Sequence, residues 1–141
     1  MEEQFARTGM LLGEDAVERL AGARVAVFGL GGVGGYVVEA LCRAGVGALD
    51  LIDKDEISLS NLNRQLLATH DTVGMPKTQA ARQRIAQINP ACVVREFTMF
   101  YLPETADALD FRDYDYIVDA VDTVAAKLAL VQRAAECGTP I

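Results

Sequence analysis

The hexapeptide GLGGVG at residues 29–34 has the spacing of a phosphate-binding turn, and it lies between a short apolar run and a helical one. In this pattern Gly29 permits the tight turn, and Gly31, with Gly32 beside it, lets the backbone approach a phosphate. Gly34 lets the following helix pack closely on the strand. Phosphate then meets a helix N-terminus, where unpaired N–H groups and the helix dipole favour an anion. Asp53 follows Gly34 by 19 residues, the usual offset for an acid that hydrogen-bonds ribose hydroxyls. The unit calls for a ribonucleotide and leaves NAD and ATP equally open.

The residues after Asp53 separate the two. The stretch LIDKDEISLSNLNRQLL (51–67) carries Asp55, Asn61, Asn63, Arg64 and Gln65. It leaves the C-terminal end of a strand, the edge at which α/β sheets bind ligands. Arg64 offers a forked, charge-assisted contact to a polyphosphate. Lys77, in VGMPKTQ, falls in the first turn of a helix, where a cation opposes the dipole and gains nothing structurally. Its position therefore points to an anion. In DYIVDAVDTVAAK (115–127), Asp119 and Asp122 end a further strand on the same edge, where an acid can hold Mg²⁺ against phosphate oxygens.

Each of these residues has a plainer reading. Asp122 would cap the next helix, Lys77 would be a solvated surface lysine, and Arg64 would pair with Asp55. Their convergence at one sheet edge, beside a nucleotide loop, favours chemistry over three coincidences. That chemistry is adenylation, in which a carboxylate or carbonyl oxygen attacks the α-phosphate of ATP and pyrophosphate leaves. It asks the protein for positioning and charge neutralisation. No Ser-His-Asp set is needed, and the sole histidine, His70, reads as a loop residue.

These side chains need a scaffold, and the apolar pattern supplies one. RVAVFGL (24–30) reads as a buried parallel strand, 33–45 as a helix stopped by Gly45, and ALDLID (48–53) as a second strand. A helix over 75–90 opens at Pro76 and ends at Asn89-Pro90. A strand is expected over 92–100, a short helix over 103–111, a strand over 114–121 and a helix over 125–138. Repeated βα units predict an α/β, Rossmann-like, open and mostly parallel sheet with helices on both faces. The rhythm calls for another strand at TPI, so the fold is expected to be truncated at its C-terminus. Residues 1–23 form a separate N-terminal helical segment, with an amphipathic helix over 14–23, that serves packing or contact with a second subunit. Residues 24–141 form the nucleotide-binding domain.

Composition narrows the function classes. The net charge is −7 with no basic block, which argues against a non-specific nucleic-acid surface in this segment. Cys42, Cys92 and Cys137 lie far apart, form no C-x-x-C pair, and read as buried reduced thiols. No apolar run reaches the ~20 residues of a membrane span, and MEEQFARTG lacks a signal-peptide pattern. A cytoplasmic location without membrane association is expected.

Taken in order, the glycine loop, the aspartate-ended strand, SNLNRQ, VGMPK and VDAVDT resemble the ubiquitin-activating-enzyme superfamily, which includes the ThiF, MoeB and HesA proteins. FARTGMLLGEDAVERL, followed by ARVAVFGLGGVGGYVVEALCRAGVG, is most similar to its tRNA threonylcarbamoyladenosine dehydratase branch. The resemblance implies ATP-dependent activation of the threonylcarbamoyl carboxylate on a tRNA adenosine, with loss of AMP closing a ring. The superfamily also contains enzymes that adenylate the C-terminal glycine of ubiquitin-like sulfur carriers, which gives an alternative substrate. An NAD(P)-dependent oxidoreductase is a further alternative, resting on the glycine loop and Asp53. Family roles fall on Asp53 for ribose, on Asn61, Arg64 and Lys77 for phosphates, and on Asp122 for Mg²⁺, with Asp55 beside them in the cofactor site. Arg7 resembles the N-terminal arginine that superfamily homodimers supply to the partner's ATP. Carrier-protein activators have two arginines there, and this chain has Gln4 at the other position. The resemblance further implies a homodimer, tRNA as substrate and a sulfur-transfer partner protein. It also implies roughly another hundred residues, without which this segment would be inactive.

Overall fold

The computed structural model describes residues 2–141. Four strands, β1 (Arg24–Phe28), β2 (Ala48–Ile52), β3 (Val93–Phe97) and β4 (Tyr116–Asp119), form one sheet in the order β3-β2-β1-β4. All three pairings are parallel, so the sheet is wholly rather than mostly parallel across these strands. Because β1 and β2 sit centrally, their residues are covered on both faces, which explains their apolar character apart from Arg24 and Asp50.

Helix α3 (Gly34–Ala44) and helix α4 (Lys77–Ile88) cover one face, where Val38, Cys42, Ala81 and Ile85 pack on Val25, Val27, Leu49 and Leu51. On the opposite face, Leu130 and Ala134 of α5 (Val124–Cys137) pack with Phe111 and Tyr114 on Ala26, Phe28 and Ile52. The alternation of Leu49 and Leu51 with Asp50 and Ile52 sends neighbours to opposite faces. Asp50 is fully buried, and Arg24, Arg95 and the Tyr114 hydroxyl hydrogen-bond its carboxylate. That network ties three strands to the turn before β4. As expected, Gly45 ends α3 in the left-handed conformation, with φ of 98°.

Several expectations are corrected. No α-helix covers 103–111; two 3₁₀ turns, Ala106–Ala108 and Phe111–Asp113, flank an extended Leu109. The Thr105 hydroxyl accepts from Leu102 N–H and donates to the Phe100 carbonyl, and Asp110 accepts from Arg112 N–H. These side-chain bonds compete with helical ones. Burial of both Leu109 and Phe111, two residues apart, suits an extended chain and not a helix. The strand expected over 92–100 stops at Phe97, where a tight turn brings Met99 N–H to the Phe97 carbonyl. Of the cysteines only Cys42 is buried; Cys92 and Cys137 are half-exposed thiols, and all three are free.

The N-terminal segment contains two helices, α1 (Ala6–Leu12) and α2 (Glu14–Gly22), where one was expected. Gly13, at φ of 90°, breaks them apart. The segment is docked on the sheet: Leu20 and Ala23 carbonyls accept from Gly47 and Ala48 N–H groups. A Cβ on Gly47 would strike the Ala21 carbonyl, so close approach of α2 requires glycine there. No helix among the described residues is long and apolar enough to cross a membrane.

Candidate nucleotide-binding site

The site is built on the C-terminal edge of β1, β2 and β4. Gly29 turns the chain out of β1 with φ of 91°, and its N–H donates to the Ile52 carbonyl at 2.8 Å. A side chain on Gly29 would meet the Ala120 carbonyl, and one on Gly34 would collide with the Gly29 carbonyl. Both glycines are therefore demanded by the turn itself. Gly31 and Gly32 differ: a Cβ on either would find only ordinary contacts, with Gln65 and Arg64 respectively. Nothing in the protein requires glycine at 31 or 32, so the reason lies in what approaches the loop. Among the described residues, the N–H groups of Gly31, Gly32 and Val33 meet no protein acceptor and stand before the N-terminus of α3.

Asp53 joins this loop to the next. Its carboxylate accepts Leu30 N–H at 2.8 Å and Asp55 N–H at 2.7 Å, which fixes its position at the end of β2. The long connection from Asp55 to α4 is closed by its own backbone. Lys77 N–H donates to the Asp55 carbonyl at 3.0 Å, and Ile57 N–H to Met75 at 2.9 Å. Ser58 and Asn61 form a reciprocal capping box that shapes the turn carrying Arg64 and Gln65. Residues far apart in sequence thus reach one place.

That place is a cleft of about 510 Å³. Gly29, Gly31, Gly32, Asp53, Asp55, Asn61, Arg64, Lys77 and Asp122 all line it. Gly34 lies behind the turn. Arg7 is exposed on α1 and does not reach the cleft of its own chain. Asp119 is also apart, held by the Lys127 ammonium at 3.2 Å.

The plainer readings of the three charged residues fail. Lys77 is 7% exposed, not solvated, and has no acidic partner within 4 Å among the described residues. Its stem is enclosed while its ammonium opens onto the cleft, where it is available to an anion. Arg64 does not pair with Asp55; its guanidinium donates to the Asn63 side chain at 2.9 Å and to the Ser60 carbonyl at 3.3 Å. Both partners are neutral, so its charge remains available. Asp122 does not cap α5, because Thr123 occupies that position.

Sequence reasoning missed the apolar wall of the cleft, and it named Gln65 without assigning it a place in the site. Ile52, Met99, Phe100, Tyr101 and Val121 form that wall. The Lys54 ammonium lies 4.9 Å from the Phe100 ring centre, a cation–π contact at the rim. Residues 99–101 were hidden because they continue the apolar pattern of β3 beyond its true end. Gln65 stood within a recognised motif but offered no signal of burial.

A ThiF family model matches residues 5–141. A tRNA threonylcarbamoyladenosine dehydratase from Bacillus subtilis is 43% identical over all of this chain and 56% of its own length. A crystal structure of Escherichia coli tRNA N6-threonylcarbamoyladenosine dehydratase in complex with ATP superposes with a TM-score of 0.92 at 38% identity. It covers 98% of this chain and 57% of that one. A sulfur carrier protein adenylyltransferase from Thermus thermophilus is 35% identical over 92% of this chain and 48% of its own length. The chain spans about half the length of the relatives it matches.

Proposed function

The chain belongs to the ThiF family, and from that premise we propose that it is the nucleotide-binding part of an ATP-dependent tRNA threonylcarbamoyladenosine dehydratase. The observation that carries this reading is Lys77, a largely enclosed lysine without an acidic partner among the described residues, which shares one cleft with a glycine loop whose N–H donors are free. ATP fits the site on three counts: room above Gly31 and Gly32, unspent positive charge on Arg64 and Lys77, and an apolar wall for a base. A relative of 38% identity and the same fold carries ATP in its crystal structure.

In this reading the loop N–H groups, Arg64 and Lys77 hold the polyphosphate and neutralise the charge that builds on departing pyrophosphate. Asn61 adds its side-chain amide, and Asp53 keeps capacity for ribose hydroxyls beside its two backbone bonds. The threonylcarbamoyl carboxylate attacks the α-phosphorus; one P–O bond forms and the bond to pyrophosphate breaks. The carbamoyl group of the same substituent then attacks the activated carboxyl carbon, gives up a proton and expels AMP as the ring closes. Asp122, exposed at the cleft with no ion-pair partner among the described residues, is the residue that would hold Mg²⁺. Magnesium commonly uses one or two carboxylates plus substrate phosphates, so a single acid suffices. The proposal includes a homodimer, with Arg7 supplied to the partner's cleft, and a cytoplasmic location where ATP and tRNA meet.

A second reading keeps the chemistry and changes the acceptor to a ubiquitin-like sulfur carrier, supported by the relative at 35% identity. A nicotinamide dinucleotide would use the loop and Asp53 but leaves Lys77 and Asp122 without purpose. ATP–pyrophosphate exchange, measured with and without tRNA bearing the threonylcarbamoyl group, tests the assignment. Exchange that depends on that tRNA is expected. Exchange driven by a carrier protein instead would move the assignment to the second reading, and thermal stabilisation by NADH but not by ATP would reject both.

A further inference from the structure

The loop between β4 and α5, residues 120–123, is pinned at both ends. Ala120 N–H donates to the Phe28 carbonyl at 2.8 Å, which ties the start of the loop to β1. Asp119, the last residue of β4, then reaches across it. One of its carboxylate oxygens accepts Val121 N–H at 3.2 Å, a turn that aspartate closes on its own backbone. The Lys127 ammonium comes back from α5 and bonds both oxygens, at 3.2 and 3.3 Å. Val121 and Asp122 lie between these anchors and line the cleft, whereas Asp119 and Lys127 do not. Thr123 makes no side-chain cap for α5, so the Asp119–Lys127 bridge is the one side-chain link across the loop among the described residues.

A plain surface ion pair is the competing account, and such pairs contribute little to stability. This one fixes geometry instead. Lys127 stands near the start of a helix, where a cation opposes the dipole, so its partner and not the helix accounts for its place. Resting on the reading that Asp122 holds Mg²⁺, we propose that Asp119 and Lys127 are positioning residues whose bridge sets where the Asp122 carboxylate stands against the metal ion of the nucleotide. Neither touches the ion. Groups that orient a metal ligand from behind govern the affinity of the site, because they fix the ligand before the metal arrives.

Calorimetric titration with metal-free ATP in EDTA, and again with MgATP, gives each variant's preference for the magnesium form, with melting curves alongside. The wild type is expected to favour MgATP, and Asp122→Asn to lose that preference. Lys127→Met and Asp119→Ala are each expected to lower it roughly three-fold or more, while metal-free ATP binding and melting temperature stay close to wild type. Lys127→Arg keeps the charge and the donors and is expected to retain most of the preference. Asp119→Asn still accepts Val121 N–H and is expected to fall between. If Lys127→Met and Asp119→Ala keep the wild-type preference, the inference is overturned while the magnesium reading of Asp122 stands. Equal losses with and without magnesium, in step with lower melting, would make the bridge a fold support only and also overturn it. If Asp122→Asn keeps the wild-type preference, the magnesium reading fails, and this inference with it.

Discussion

At the scale of single residues, two cations of the cleft differ in environment, and that difference sets their expected weight. Lys77 is buried and has no acidic partner among the described residues, whereas Arg64 is exposed and rests on two neutral oxygens. Water screens a charge at an exposed position far more than at a buried one. Replacing Lys77 by Met should therefore weaken ATP binding more than replacing Arg64 by Ala, by about ten-fold. Because Lys77→Met also removes an uncompensated charge, the unliganded variant should melt no lower than the wild type. Calorimetric titration with ATP, with melting curves alongside, checks both statements. A greater loss from Arg64→Ala would mean that the phosphates lie at the rim and not beneath it.

At the scale of elements, the glycines of one loop divide into two kinds that substitution will separate. Gly34→Ala forces a Cβ into the Gly29 carbonyl and pulls α3 from β1, a destabilisation of roughly 2 kcal/mol or more. Gly31→Ala meets no such obstacle and should fold normally, its loss appearing only in nucleotide affinity. Denaturant unfolding would show the contrast; equal destabilisation would contradict it. A second element-level test concerns α3 against α4. Arg84, with Arg43 assisting, hydrogen-bonds Glu39 and holds its carboxyl below its ordinary value of 4.5. A depressed carboxyl stabilises the fold above its unfolded pKa, and that contribution disappears as pH falls through the folded one. Stability should thus decline below about pH 4.5, and Glu39→Gln should flatten this decline in melting curves taken from pH 3 to 7. The same scale shows what the chain betrays in its letters. Strands and long helices were legible because period and punctuation agree, as at Gly45. The turns at 106–113 were not, because the Thr105 and Asp110 side chains settle them through local hydrogen bonds. Nor was α1, a seven-residue helix with Gly9 in its interior, where glycine lowers helix propensity and packing decides. The polar half of the site was legible by its charges. Its apolar wall was not, because Met99 and Phe100 look like more strand until the turn after Phe97 is seen.

At the scale of the whole molecule, Arg7 poses the remaining question, since it lies on α1 and outside its own cleft. Met10 and Leu11 follow it by three and four residues, positions that share a helix face, and both are more than four-fifths exposed. The face that carries Arg7 therefore also carries apolar surface that a second copy would bury. If Arg7 serves the partner's ATP, its loss and the loss of Lys77 must complement each other. Within a two-fold dimer, each cleft would combine Lys77 of one protomer with Arg7 of its partner. A heterodimer of Arg7→Ala with Lys77→Met then contains one intact cleft and one doubly damaged cleft. Random mixing of the two variants should restore about a quarter of the wild-type high-affinity ATP sites, although each variant alone has none. Light scattering should show a dimer throughout. Mixing without any recovery, in a protein that is dimeric, would place Arg7 outside the nucleotide site. A monomer that binds ATP at full strength would remove the need for a second copy altogether.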